Sequence, residues 1–257
     1  MLLTSALRRP GRAAAGLVPT AAGRAAAGPR QTAPMADTGP VAGERRLSPQ
    51  GRRLLDAATV LFAKRGAVAT SVRDITHACG LTPGSLYNHF SSKEELLHVL
   101  VRGIHLAHEQ ALLEGQAQVA GDPVAELTVM VQVVVHRHAS RPQRARVANR
   151  EFPLLTGAML DDVLAVRRRL LHHLADVLRR GQEEGVLDLD RPLTPGLLAT
   201  AVFDMSVHLT EWFVEGSPFT SVGIARRYAV LACRMAGTRA DERVLDVGER
   251  WVSRPEP

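Results

Sequence analysis

Residues 71–97 read SVRDITHACGLTPGSLYNHFSSKEELL. Two short helical patterns meet at Cys79-Gly80-Leu81, and the start signal of a third helix follows. Ser71 and Asp74, three apart, form a capping box in which each side chain takes up a backbone N–H that the first helical turn leaves open. Gly80 stops that helix, because a residue without Cβ adopts positive φ at little steric cost. Thr82-Pro83 restarts the chain with a hydroxyl cap and a preset φ. The second helix is about two turns long and buries Leu86 and Phe90, four residues apart on one face. Pro83, Gly84, Ser85, Tyr87, Asn88 and His89 are left on the open face. Two short helices around a tight turn, the second presenting small and polar groups, form the layout that enters a DNA major groove.

Outward from this stretch the chain reads as helices separated by clear stops. Ser48-Pro49 opens one whose Leu54, Leu55, Ala58, Leu61 and Phe62 make a single apolar stripe, and Gly66 closes it. Ser91 or Ser92 caps a helix reaching about Gly115, with Leu96, Leu97, Leu100, Val101 and Ile104 inward. Asp122-Pro123 opens the next, through about Ala139, and its LTVMVQVVV run is β-branched enough to pass alone for a buried strand. No partner strand is visible elsewhere, so a buried helix is expected. A short helix then ends near Arg150, and a long one runs from about Ala158 to Glu184. Thr194-Pro195 starts another ending near Gly216, and Thr220 caps a last one through about Ala236. The class is all-α. Asp204, His208 and Glu211 interrupt the most apolar helix, so no window reaches the ~18 uncharged residues of a membrane span.

Residues 54–97 resemble the DNA-binding domain of the tetracycline-repressor (TetR) family. The resemblance is carried by Phe62-Ala63 and Arg65-Gly66, by Val72-Arg73-Asp74-Ile75, by Gly84-Ser85-Leu86-Tyr87, and by the FSSKEEL run from Phe90 to Leu96. It implies a homodimeric transcriptional regulator, usually a repressor. The expected architecture is an N-terminal three-helix helix-turn-helix domain followed by a helical effector-binding and dimerisation domain. The corresponding divisions are a disordered extension over 1–44, the DNA-binding domain over 45–93, the effector domain over 94–238 and a tail over 239–257. The resemblance places Tyr87, His89 and Lys93 on phosphates, with Thr82 contributing at a helix N-terminus. Pro83, Ser85 and Asn88 are best placed for base edges, and Gly84, Ser71 and Arg73 complete the set. Arg45-Arg46 is positioned to reach a minor groove.

The segment from Asn149 to Gly237 carries a second resemblance, to TetR-type repressors that govern fatty-acid and steroid degradation and respond to acyl-CoA thioesters. Its residues are Asn149, Glu151-Phe152, Val166-Arg167, Glu183, Gly185, Trp212-Phe213, Gly216 and Arg227-Tyr228. Val214-Glu215 stand where many relatives have a basic residue and a proline. The implied effector is small and hydrophobic, an acyl-CoA thioester or else a drug-like molecule. Met130, Phe152, Phe203 and Trp212 are the expected pocket walls, with Asn149, Arg150 and His208 as polar contacts. The two final helices are apolar on more than one side, as pairing with a second subunit requires.

Charge agrees with this division. Residues 45–93 hold eight Arg or Lys and two Asp, whereas residues 94–257 hold nineteen Arg and twenty-two acids. A basic block coincident with the helix-turn-helix is the footprint of a duplex binder. The first 43 residues are rich in Ala, Gly, Pro and Arg and are expected to be disordered. They read as an organellar presequence, as translated upstream DNA with Met35 as the start, or as a basic arm.

Cys79 and Cys233 lack metal or redox spacing, which fits a reducing bacterial cytoplasm, and Cys79 reads as a buried small hydrophobe in the turn. Hydrolase, dinucleotide and phosphate-loop signatures are absent, and no catalytic residue or cofactor is expected. Two other readings remain: a helical metal protein or enzyme built on His105, His108 and Glu109, with His98 nearby, and a DNA-binding scaffold without an effector. Arg167-Arg168-Arg169 is most simply a solvated face.

Overall fold

A computed structural model of the chain describes residues 47–189, 193–215 and 218–254. Among them are ten α-helices: α1 Pro49–Arg65, α2 Val72–Ala78, α3 Gly84–Tyr87, α4 Lys93–Ala117, α5 Pro123–Ser140, α6 Pro142–Arg150, α7 Gly157–Glu183, α8 Pro195–Trp212, α9 Ser221–Met235 and α10 Glu242–Val252. A 3-10 turn, Phe152–Leu154, joins α6 to α7. Among the described residues no helix is long and apolar enough to cross a membrane.

The apolar side chains gather into two clusters. The first holds Leu54, Phe62, Ile75, Leu86 and Phe90 of the first three helices and the turn after them. It continues through Leu96, Leu100 and Ile104 of α4, Val147 and Ala148 of α6 and Val163 of α7. The start of α4 is therefore packed as part of the helix-turn-helix unit. The second cluster is built on α5, with Leu170, Leu174 and Leu178 of α7, Val202 and Leu209 of α8, and Ala229 and Cys233 of α9.

Helix α5 is buried almost throughout, from Pro123 to Val135 with one exception at Val124. Its valines favour strands, but intrinsic helix propensity separates them from alanine by at most about 0.7 kcal/mol per residue. Complete burial of each contributes roughly 1.5–3 kcal/mol, so tertiary packing decides the conformation. Asp122 caps the helix by accepting from Val124 and Ala125 N–H at 2.9 and 3.1 Å.

Two boundaries differ from expectation. Helix α8 stops at Trp212, before Gly216, with the Phe213 N–H bonded to the Leu209 carbonyl. Residues 239–257, expected as a tail, contain α10, capped by Asp241, which accepts from the Arg243 N–H at 2.7 Å. Leu245 of α10 is fully buried, and the Gln132 amide of α5 donates to its carbonyl at 3.0 Å. Gly248 lies so close to Gln132 that an added Cβ would meet Oε1 at 1.8 Å, so any larger residue there requires the Gln132 amide to move aside. Residues 1–46, and with them the minor-groove arm at Arg45 and Arg46, lie outside the described residues.

Candidate DNA interface and effector region

Local sequence fixes the helix-turn-helix. The Ser71–Asp74 box is complete: the Asp74 N–H donates to Ser71 Oγ at 3.1 Å, and the Ser71 N–H donates to the Asp74 carboxylate at 2.8 Å. The Ser71 hydroxyl, which donates to the Asp74 carboxylate at 2.7 Å, the Ser71 N–H and the Arg65 guanidinium at 2.8 Å together hold the Asp74 carboxyl down at about 2. Gly80 has φ 68°, as the turn demands. Arg53 of α1 braces that turn by donating to the Cys79 carbonyl at 2.7 Å, and the Cys79 thiol donates to the Arg53 carbonyl at 3.3 Å. Burial raises the pKa of this thiol.

Helix α3 is shorter than its sequence pattern implies, and Thr82 does not cap it with its side chain. The Thr82 and Ser85 hydroxyls bond each other at 3.1 Å, while the Ser85 N–H donates to the Thr82 carbonyl at 3.0 Å. Leu86 and Phe90 are buried as expected. Thr82, Pro83, Gly84, Tyr87 and Asn88 are exposed together with Ser71 and Arg73, whereas Ser85 and His89 are half-buried. His89 Nδ1 is hydrogen-bonded to the Ser48 hydroxyl at the start of α1, 3.3 Å away.

Lys93 departs from its expected role as a simple phosphate contact. Its ammonium is half-buried and donates to the carbonyls of Ala67 at 2.8 Å and Thr70 at 3.0 Å, so two of its three donors tie α4 to the α1–α2 turn. The same turn is held from the other side, where the Ala67 N–H donates to the Glu151 carboxylate at 2.9 Å.

The seven effector-pocket residues do not line one chamber. Met130 is fully buried among core side chains. Phe203 is half-buried against that core. Phe152 lies under the Arg167 guanidinium, 4.4 Å from ring centre to Cζ, and Arg167 also donates to Asn149 Oδ1 at 3.0 Å. Arg167 is thus half-buried, and only Arg168 and Arg169 belong to the solvated face expected for all three. Arg150 is exposed and paired with Glu211, His208 is exposed with Nδ1 hydrogen-bonded to the Asp204 carbonyl at 2.8 Å, and Trp212 is 54% exposed. Arg150, His208 and Trp212 are therefore open to solvent, whereas Met130 is buried and Phe203, Phe152 and Asn149 are half-buried.

The histidine cluster is likewise dispersed. His98 pairs with Asp162 at 3.0 Å. His105 is hydrogen-bonded to the Ala148 carbonyl at 3.3 Å, and Glu109 takes a two-point contact from Arg169 at 2.7 and 2.8 Å. Among the described residues no group of three His, Cys, Asp or Glu side chains could hold a metal ion. His105 and His138 are buried, and burial carries their pKa values down to about 3 and about 4.

Sequence reasoning missed a cluster at the meeting of α4, α5 and α6. His108, Arg137, Arg141 and Arg144 surround a cavity of about 10 Å³ together with Ile104, Ala107 and Ala145. The only signal in the sequence is the spacing Arg137, Arg141, Arg144, which reads equally well as a solvated face.

A capped helix-turn-helix presenting an exposed polar face, fused to a helical domain, defines a DNA-binding transcriptional regulator. Comparison with known proteins gives the family. Residues 54–100 match the profile described as bacterial regulatory proteins, tetR family, and residues 120–236 match the tetracyclin repressor-like C-terminal domain. The chain is 30% identical to the TetR family transcriptional regulator PfmR from Thermus thermophilus, with a TM-score of 0.60, over 71% of this chain and 97% of that one. It is 29% identical over 181 residues to the HTH-type transcriptional repressor KstR2 of Mycobacterium tuberculosis, covering 69% of this chain and 88% of the relative. The fold also matches AibR in complex with isovaleryl coenzyme A and operator DNA, at 23% identity and a TM-score of 0.64, over 71% of this chain and 97% of that chain. The chain belongs to the TetR family and is a DNA-binding transcriptional repressor; its relatives are regulators, not enzymes.

Proposed function

We propose that the protein acts in the bacterial cytoplasm as a homodimer that holds a palindromic operator and releases it when a small hydrophobic effector, an acyl-CoA thioester, binds the helical domain. The position of α6 is the observation that carries this reading. From the middle of α6 Arg146 donates to the Thr210 carbonyl of α8 at 2.9 Å, and just beyond its C-terminal end Glu151 accepts from the Ala67 N–H in the α1–α2 turn. Movement of α8 is thereby passed to the DNA-binding helices through one short rod. Leu197 and Leu231 support pairing with a second copy, since both are large, apolar and exposed on α8 and α9. AibR, with its bound isovaleryl coenzyme A, supports the effector class.

The recognition face in this reading is Thr82, Pro83, Gly84, Ser85, Tyr87, Asn88 and His89, flanked by Ser71 and Arg73. Two such faces enter successive major grooves only when ~34 Å apart, so a ligand that favours another separation weakens DNA binding. Operator DNA must then weaken ligand binding by the same factor. Titration of an acyl-CoA panel and a drug-like panel against free and operator-bound protein tests this. Weaker binding of an acyl-CoA in the bound state is expected. A response to drug-like molecules alone would instead assign the protein to efflux control.

A further inference from the structure

We propose that Arg167 of α7 is a positioning residue for the DNA-binding helices, acting through the segment 151–156 between α6 and α7. Both ends of that segment hold the helix-turn-helix side of the molecule. At one end Glu151 accepts the Ala67 N–H. At the other, the Thr156 N–H and hydroxyl donate to the Glu94 carboxylate in the first turn of α4 at 3.0 and 2.8 Å, and Thr156 gives α7 no side-chain cap of its own. The neighbouring Lys93 donates to the Ala67 carbonyl, so the N–H and the C=O of one turn residue are held from two sides. Between the ends Leu155 is buried in the first cluster, and Phe152 lies under the Arg167 guanidinium, 4.4 Å from ring centre to Cζ.

A directed series of hydrogen bonds fixes the place of Arg167. His138 Nδ1 is 2.8 Å from the Val134 carbonyl, which can only accept, so in this buried, neutral ring Nδ1 carries the proton and Nε2 accepts. The Asn149 amide nitrogen donates to that Nε2 at 3.3 Å and to the Ala145 carbonyl at 2.8 Å, which turns the amide oxygen to Arg167, 3.0 Å away. Arg167 Nη1 also lies 3.4 Å from His105 Nε2 of α4, and Asp204 of α8 attracts the guanidinium through space. One side chain of α7 thus meets α4, α6 and the turn between α6 and α7. A flat guanidinium can stack on a ring and donate from its edge at the same time, a geometry that an ammonium lacks. A shift of α7 therefore carries Phe152 with it and, through Glu151 and Thr156, the two contacts on the DNA-binding side.

The test combines backbone hydrogen exchange of the free full-length protein with affinity for the duplex that the parent selects from a random pool. Arg167→Met keeps the stem and removes the guanidinium, and Phe152→Leu removes the ring from the other side of the same contact. Each should speed exchange over residues 66–70 about fivefold or more while leaving α9 as in the parent. Each should also weaken binding to the selected duplex about threefold or more, with Arg167→Lys falling between parent and Arg167→Met. The deciding variant is Arg167→Met/Glu151→Ala. Effects at residues that share no partner usually add, whereas here the loss in the double variant should be smaller than the product of the two single losses, because one link is already cut. Parental affinity in Arg167→Met, a fully multiplied loss in the double variant, or faster exchange spread evenly through α5, α7 and α9 assigns Arg167 to general packing and overturns the proposal. Should Arg167→Met not fold, Arg167→Lys completes the same cycle. No effector is used, so the outcome is independent of whether an acyl-CoA releases the operator.

Discussion

The Glu151 carboxylate accepts the Ala67 N–H at 2.9 Å, joining the chain just after α6 to the turn between α1 and α2. Eighty-four residues separate the partners, and the bond crosses from the C-terminal helices to the helix-turn-helix. Glu151→Ala is expected to cost about 1 kcal/mol of stability, the usual net value of a hydrogen bond with partial access to water. Glu151→Gln keeps a carbonyl acceptor and should lose less than half of that. The diagnostic readout is coupling: with Glu151→Ala, effector should still bind but release operator less effectively. Full release at parental effector concentration would show that the signal travels elsewhere.

Lys93 ties α4 to the α1–α2 turn, and in the proposed reading it contributes to DNA affinity as well. Because its ammonium donates to the Ala67 and Thr70 carbonyls, Lys93→Ala should lower the melting temperature as well as weaken operator binding. A residue acting only on phosphate would flatten the salt slope by about one unit and leave melting unchanged. Differential scanning calorimetry beside salt-dependent binding separates the two roles.

Asn88 is exposed on the recognition face, and its amide can both donate to and accept from a base edge. Asn88→Ala should relax preference at one position in each half-site, with a loss of about 1–3 kcal/mol on the preferred base. Selection of binding sites from a random pool for parent and variant measures this directly. Identical selected sites would remove Asn88 from the base-reading set.

Acid should destabilise the protein below neutrality through its buried histidines. His105 and His138 stay neutral in the fold down to about 3 and about 4, whereas in the unfolded chain they take protons near 6.5. The unfolded state therefore binds more protons as pH falls from about 6.5 towards 4, and stability drops over that window. Each contributes about 1–2 kcal/mol of loss between pH 7 and 5. Asp74 acts lower: its stabilisation is intact above about 3.8 and fades as pH approaches about 2. Denaturant melts from pH 7 to 5 should show the first slope, and His105→Gln should reduce it.

The legible parts of this molecule are those whose physics is local. Ser71, Asp74, Gly66 and Gly80 act within a few residues of themselves, so spacing alone places the caps and turns. The β-branched α5 reads as a helix only because no strand is available to pair with it. Helix α10 escapes a reading of the sequence because its apolar stripe is brief and its partner on α5, Gln132, lies 113 positions before Leu245, whose carbonyl it binds. The partners of Lys93 lie 23 and 26 residues away, and the groups around Arg144 include residues of other helices. Charged side chains in such places look solvated until the fold brings other elements over them.

The proposed dimer is what would fit this fold to a palindrome. Leu197 on α8 is 53% exposed and Leu231 on α9 is 42% exposed, so neither is needed to complete the core of one chain. Substitution of either by glutamate should leave the monomer folded. Burying a leucine contributes roughly 1.5–3 kcal/mol, and two-fold symmetry counts each position twice. Leu231→Glu should therefore cost at least about 3 kcal/mol of association, more than two decades in the dimer Kd. Light scattering should then find monomers, and affinity for a full palindrome should collapse towards that for a half-site, because the second contact is no longer intramolecular. A variant that remains dimeric with parental operator affinity would move the subunit interface away from Leu231 of α9.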